Sequence, residues 1–177
     1  MPASFPEPAI RFQGTLYQAL NPVWAAQPLS GEGALRYGGR FNPKGTAALY
    51  TSLSVMGAVR EANQLGRPFE PVTLVSYAAD IFPVFDSTDP AALEEWKVRP
   101  AVLAADDWRL MMAAKGKSAS QALAAKLVKA GYAAIVAPSY ARGAPEATRN
   151  LVLWRWGTTL PTRLSVIDTD GRLAPAK

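Results

Sequence analysis

The chain has 177 residues, a formal net charge of +5, and neither histidine nor cysteine. The lack of imidazole and thiol groups excludes Ser–His triads, cysteine nucleophiles and zinc sites with His or Cys ligands. The length suits a single domain, and a hydrophobic fraction of 49% argues against disorder. We expect a cytoplasmic protein without a membrane segment, because the sequence has no secretory signal pattern and no run of about 18 apolar residues.

The N-terminal part of the chain is predicted to hold two short strands separated by an irregular segment. One strand is predicted to end around Leu16, after which Pro22 and Pro28 disfavour a long helix. The segment up to Gly39 is therefore predicted to be rich in loops. Residues 47–52, AALYTS, form a short apolar run that predicts a buried strand.

A helix is predicted directly after this strand. Ser54 is its predicted N-cap, and Gly66 and Pro68 are its stop signals, so the helix is expected to end near residue 65. Its apolar side chains form one stripe, and Glu61 lies about 90° from the centre of that stripe. This position allows the glutamate to lean into a neighbouring cleft.

The remaining predicted elements alternate between strands and helices. Strands are predicted over residues 72–77, 82–85, 133–137, 150–156 and 163–168, and helices over residues 90–96, 107–115 and 120–129. The pattern predicts one compact α+β domain over residues 1–177, with mixed, largely antiparallel sheets and flanking helices. Residues 1–12 and 169–177 are predicted to be flexible tails.

The glycine-rich segments do not match the common nucleotide-binding loops. Residues 31–33, GEG, are followed by Arg36 where the dinucleotide fingerprint requires glycine. Residues 44–46, KGT, reverse the Gly-Lys-Thr order of a P-loop. A Rossmann dinucleotide site and a P-loop are therefore not expected.

Arg40, Tyr50 and Glu61 fit another chemistry, cleavage of the bond between nicotinamide and ribose in NAD. The departing pyridinium is already cationic, so it needs no general acid and no histidine. The Glu61 carboxylate would stabilise positive charge that develops on the ribose. The Tyr50 ring would hold the nicotinamide, and the Arg40 guanidinium would bind the pyrophosphate. NAD is thus the expected substrate, and no metal is expected.

Several spaced motifs carry a resemblance to a known family. They are PLSGEGA at residues 28–34, GGRFNPKG at 38–45, ALYTSLS at 48–54, Glu61, and shorter pieces at 106–108, 137–139 and 149–151. In this order they resemble the RES-domain family, the toxin components of bacterial RES–Xre toxin–antitoxin pairs. The resemblance implies a fold similar to diphtheria-toxin-type ADP-ribosyltransferases. It also implies transfer of ADP-ribose from NAD to a protein, to phosphate or to water, with Arg40, Tyr50 and Glu61 at the motif positions.

The resemblance also suggests further residues that would bind NAD. Where family members often have Tyr-Arg, this chain has Tyr17 and Gln18. The second arginine is therefore either missing or replaced, by Gln18 at that position or by Arg36. The family serine is matched first to Ser139, which would bind the ribose or the nicotinamide amide; the alternatives are Ser118, Ser120 and Ser52. Asn150 is also predicted to bind NAD.

The resemblance implies a cognate Xre-family antitoxin that occludes the active site near Arg40 and Glu61. Direct contact with nucleic acid is then expected only through that antitoxin. The alternatives are a basic nucleic-acid-binding regulator that uses residues 149–163, or a non-catalytic interaction protein. For the regulator, affinity for RNA or DNA should fall steeply as salt rises. The five tryptophans are assigned to the core.

Overall fold

A computed structural model describes residues 5–63 and 69–173. The strands are β1 (Ile10–Leu20), β2 (Leu49–Ser52), β3 (Thr73–Asp86), β4 (Ala134–Pro138), β5 (Arg149–Leu153) and β6 (Thr162–Val166). The helices are α1 (Glu32–Tyr37), α2 (Val55–Ala62), α3 (Pro90–Glu95), α4 (Pro100–Ala104), α5 (Trp108–Lys115) and α6 (Ala119–Ala130). A 3-10 helix covers Pro22–Trp24.

The strands form one sheet in the order β1-β2-β5-β4-β3-β6, and β1 pairs with β3 as well. This extra pairing closes β1, β2, β5, β4 and β3 into a continuous circuit, to which β6 is attached through β3. Among the named strands only β3 and β4 run parallel, and the other pairs are antiparallel. The predicted α+β domain with a mixed, largely antiparallel sheet is confirmed. No helix within the described ranges is both long enough and apolar enough to cross a bilayer.

The central strands separate two hydrophobic clusters. Alternate residues of β5 enter opposite clusters, with Leu151 and Leu153 on one side and Val152 on the other. This alternation follows from the two-residue period of a strand. The second cluster is completed by α3, α4 and α6, which contribute Leu93, Leu103 and Leu127 among others. The helices therefore cover one face of the central strands and bring their ends close to the turn that follows α1.

Two short helices and one long strand differ from the sequence predictions. Helix α1 lies in the segment predicted to be loop-rich, and α4 lies in a segment for which no element was predicted. Residues 72–77 and 82–85 were predicted as two strands, but β3 is continuous because residues 77–81 pair with β1 on one side and β6 on the other.

The first residues of β1 and α2 can be compared with the predicted N-terminal tail and the predicted helix cap. Strand β1 begins at Ile10, so residues 10–12 belong to the sheet and not to a tail. Helix α2 begins after Ser54, as predicted, because the Ser54 side chain accepts a hydrogen bond from the Gly57 N–H. The predicted stop signals Gly66 and Pro68 lie outside the described residues.

Asp80 on β3 joins three strands through its carboxylate. It is 7% exposed and accepts hydrogen bonds from Arg11 Nε at 2.7 Å and Gln13 Nε2 at 3.0 Å, both on β1. Arg163 Nη2 on β6 lies 3.7 Å away. The hydrogen bond from Arg11, followed by that from Gln13, holds the pKa of the Asp80 carboxyl below its usual value.

We expect Asp80→Asn to lower the free energy of unfolding at neutral pH. Because the folded-state pKa is depressed, the carboxylate contributes stability above its unfolded pKa of about 4, and this contribution is lost as pH falls toward the folded pKa. The variant should therefore lose less stability than the wild type on acidification. Denaturant unfolding across that pH range measures the effect. Glu94→Gln is the control, since Glu94 is exposed on α3. Identical pH profiles for Asp80→Asn and the wild type would contradict the role of Asp80.

Candidate active site

Glu61 is positioned by a close junction between β2 and α2. A Cβ added at Gly57 would lie 2.1 Å from Ser52 Oγ and 2.9 Å from Ser54 Oγ, so the first turn of α2 packs directly against the end of β2. Glu61 lies in the last turn of this eight-residue helix and is half-buried. The short connection thus places the glutamate next to the sheet.

Two neutral side chains bind the same oxygen of the Glu61 carboxylate. Ser139 Oγ donates to Glu61 Oε1 at 2.5 Å, and Asn150 Nδ2 donates to the same atom at 2.6 Å. Asn150 lies on β5, opposite Ala137 of β4, and Ser139 directly follows β4. One helix and two adjacent strands therefore fix the orientation of the carboxylate. The Ser139 hydroxyl, predicted to contact ribose or nicotinamide, donates to Glu61 in this structure.

Arg40 lies in the turn between α1 and β2, and its side chain is 13% exposed. Its Nη1 donates to Leu103 O at 2.9 Å and to Ala105 O at 2.7 Å. Its Cζ lies 4.5 Å from the ring centroid of Tyr140 and 5.9 Å from that of Trp108. Burial lowers the pKa of the Arg40 guanidinium from its ordinary value, yet arginine remains cationic at neutral pH. Its Nη2 lies 3.9 Å from Oδ1 of the exposed Asp106. Since Nη1 is occupied, an anion would bind through Nε or in place of Asp106 at Nη2.

The Tyr50 hydroxyl holds the turn that carries Arg40. It accepts a hydrogen bond from Phe41 N at 2.9 Å and donates one to Asn42 Oδ1 at 2.6 Å. A Cβ at Gly39 would lie 2.2 Å from this hydroxyl, so the close approach requires glycine. Burial raises the pKa of Tyr50, which therefore stays protonated at neutral pH. The hydroxyl is thus structural, and the ring remains available to a ligand.

Arg40, Tyr50, Glu61 and Asn150 all line one cavity of about 400 Å³. A smaller cavity of about 160 Å³ shares Tyr50, Glu61 and Asn150 with it and is also lined by Gln18. Four of the predicted site residues are therefore brought together. Asn150 Oδ1 is buried and has no hydrogen-bond partner among the residues that the structure describes. A ligand O–H or N–H would satisfy it.

Arg36 is not brought to this site. It is exposed on α1, forms an ion pair with Glu32 of the same helix, and lines neither cavity. Gln18, at the position where the family arginine was expected, lines the smaller cavity and accepts a hydrogen bond from the Tyr77 hydroxyl at 2.7 Å.

The three alternative serines occupy different places. Ser52 is buried and lines the smaller cavity. Ser118 and Ser120 are buried at the N-terminus of α6. None of the three donates to Glu61 in the way that Ser139 does.

The sequence analysis missed three residues that line the larger cavity. These are Trp108, Arg109 and Tyr140. Trp108 was assigned to the core, and it is indeed only 8% exposed, but it also faces the cavity. Arg109 Cζ lies 4.3 Å from the Trp108 ring centroid and adds a second cation near Arg40. No periodicity relates these positions to residue 40; only the resemblance of residues 106–108 to a family motif pointed to this segment.

The site offers a carboxylate, two arginines and several aromatic rings, but no metal-binding cluster. Within residues 5–63 and 69–173, no group of three or more acidic side chains could hold a metal ion. This combination suits charge stabilisation on an organic ligand that carries anionic groups.

The sequence model of the RES domain family matches residues 15–174, and the chain therefore belongs to this family. Among solved structures, the fold is similar to a chain in the crystal structure of the M. tuberculosis MbcT–MbcA toxin–antitoxin complex, with a TM-score of 0.65 and 23% sequence identity. The similarity covers 90% of this chain and 84% of that chain. At this identity it establishes the fold. No protein with a curated description shows a significant sequence match.

Proposed function

We propose that this RES domain protein is an NAD-consuming toxin that cleaves the bond between nicotinamide and ribose. The observation that carries the proposal is the Glu61 carboxylate, fixed by Ser139 and Asn150 at the wall of the cavity that Arg40 also lines. Membership of the RES domain family and the likeness to MbcT support it.

In the proposed reaction the carbon–nitrogen bond breaks and its electron pair returns to the pyridinium nitrogen. The leaving group becomes neutral without taking a proton, so a site without histidine suffices. Glu61 stabilises the positive charge on the ribose, and the Tyr50 and Tyr140 rings offer surfaces for the nicotinamide. Arg40 binds the pyrophosphate. Asn150 Oδ1 accepts a hydrogen bond from the ligand.

The ADP-ribose then passes to a protein side chain, to phosphate or to water. The first would make the protein a mono-ADP-ribosyltransferase, the second an NAD phosphorylase and the third an NAD glycohydrolase. The purified protein should be incubated with NAD alone, with phosphate and with cell extract, and each ADP-ribose product identified. Intact NAD in all three reactions, from a folded protein free of any partner, would refute the proposed function.

We further propose that an Xre-family antitoxin occludes the larger cavity in the cell. The solved relative was crystallised as a toxin–antitoxin complex, which supports a partner of this kind. Arg40 and Arg109 would attract acidic or polar groups of such a partner.

The purified complex with the antitoxin is expected not to consume NAD, whereas toxin released from it should do so. NAD consumption by equal amounts of the two samples measures this. Equal rates in the bound and released states would reject occlusion. An antitoxin-only sample is the control for contaminating activity.

The nucleic-acid-binding alternative gains no support from residues 149–163. Arg149 donates to Glu146 O, Arg155 donates to Gly131 O at 2.9 Å, and Arg163 lies near Asp80. Each of these arginines thus contacts an oxygen of the protein itself.

A further inference from the structure

The N-terminus of α6 contacts the backbone of the turn that carries Arg40. Ser120 Oγ donates to Arg40 O at 2.7 Å. Gln121 Nε2 donates to Gly39 O at 2.8 Å and to Asn42 O at 3.1 Å. Ser120 is 2% exposed and Gln121 is fully buried. Three carbonyl groups of one short turn are thus bound by two adjacent side chains of one helix.

The N-terminal cap of α6 fixes the orientation of the side chains that make these hydrogen bonds. Gln121 Oε1 accepts from Ser118 N at 2.9 Å, and Ser118 Oγ accepts from Gln121 N at 3.2 Å, which is a capping box. Ser118 Oγ also lies 3.0 Å from Ser120 Oγ. Because one end of the Gln121 amide is held by the cap, its Nε2 atom cannot turn away from the Arg40 turn without breaking the cap.

The backbone and the side chain of Arg40 are therefore held by different helices. The α6 N-terminus binds the backbone, and the carbonyls of Leu103 and Ala105 at the end of α4 bind the guanidinium. A shift of the turn would strain or break the hydrogen bonds of the guanidinium to these carbonyls and so change its position relative to Glu61. A displacement of about 1 Å in a positioning group is enough to impair a reaction.

We propose that Ser120 and Gln121 are positioning residues, which fix the place of Arg40 in the cavity and thereby the affinity for the anionic part of the substrate. The effect on NAD rests on the proposed function. The positioning of Arg40 does not, and it can be measured separately.

Ser87 provides a matched control for Ser120. Its Oγ donates to Val136 O at 2.7 Å, and the residue is 4% exposed. Each serine is buried and makes a hydrogen bond of the same length to a backbone carbonyl, but the Val136 carbonyl belongs to a strand paired on both sides. Ser120→Ala and Ser87→Ala should therefore reduce the free energy of unfolding by similar amounts.

Only Ser120→Ala should change the kinetics with NAD. We expect it to raise KM about five- to tenfold, the factor that corresponds to one hydrogen bond, with little change in kcat. Ser87→Ala should leave both constants unchanged, and Ser120→Thr, which keeps the hydroxyl, should have a KM close to that of the wild type. Equal KM values for the two alanine variants, or a loss confined to kcat, would overturn the proposal.

An NMR measurement tests the same proposal without turnover. The Nε–H resonance of Arg40, assigned by its loss in Arg40→Lys, should move in Ser120→Ala and stay in place in Ser87→Ala. An unchanged resonance in Ser120→Ala would overturn the positioning role even if NAD is consumed. If the wild type consumes no NAD, the proposed function fails, and the resonance still decides whether α6 positions Arg40.

Discussion

Glu61→Gln is expected to reduce NAD turnover at least about a hundredfold while NAD binding stays close to that of the wild type. Glutamine matches the size of glutamate, and its carbonyl oxygen can still accept hydrogen bonds from Ser139 and Asn150. The variant therefore keeps the shape of the site and loses the negative charge that would stabilise the ribose cation of the proposed reaction. Single-turnover rates and calorimetric titration with NAD separate the two effects.

Glu94→Gln is the matched control, because Glu94 is exposed on α3 and lines neither cavity. It should turn over NAD at the wild-type rate. Undiminished turnover by Glu61→Gln would show that another group stabilises the cation. Loss of both binding and turnover would point instead to a disturbed site.

Arg40→Ala is expected to weaken NAD binding roughly ten- to a hundredfold, which corresponds to the loss of a hydrogen bond to a charged group. The variant should also be less stable, because the carbonyls of Leu103 and Ala105 lose their donor. Arg40→Lys should bind NAD with intermediate affinity, since lysine keeps the charge but not the planar fork. Titration with NAD and denaturant unfolding measure the two consequences.

Arg36→Ala is the control for loss of a positive charge near the site. Arg36 is exposed and paired with Glu32, so its removal should leave NAD affinity unchanged. This variant also tests the sequence hypothesis that Arg36 replaces the family's second arginine. If Arg36→Ala weakened binding as much as Arg40→Ala, the cavity would be wrongly assigned as the anion site.

The helix that carries Glu61 could be predicted because its signals are local. Ser54 caps it, and its apolar stripe follows a 3.6-residue period. Arg40 and Tyr50 were placed with Glu61 through their motif spacing, and the structure brings all three to one cavity. Glu61 is 78 residues from Ser139 and 89 residues from Asn150 along the chain. No local sequence pattern predicts contacts between residues so far apart.

The elements that sequence analysis missed depend on tertiary contacts. Helix α1 has six residues between Gly31 and Gly38, too few to be stable alone, and its Ala34 carbonyl is bound by the buried Asn42 side chain. Likewise, Asp80 interrupts the apolar run of β3, but partners on β1 and β6 keep it in the strand. Burial and contacts with residues distant in sequence, rather than intrinsic propensity, determine the secondary structure of both segments.

The closed circuit of strands bears on whether copies of the protein can associate through their sheets. Among the described strands, only β6 has a strand neighbour on one side alone. Open strand edges are templates for aggregation. The five-residue β6 carries the charged Arg163, and β1, which pairs with β2 only through Tyr17 and Ser52, carries the charged Arg11. Charged side chains on these edges disfavour edge-to-edge pairing between two copies of the protein.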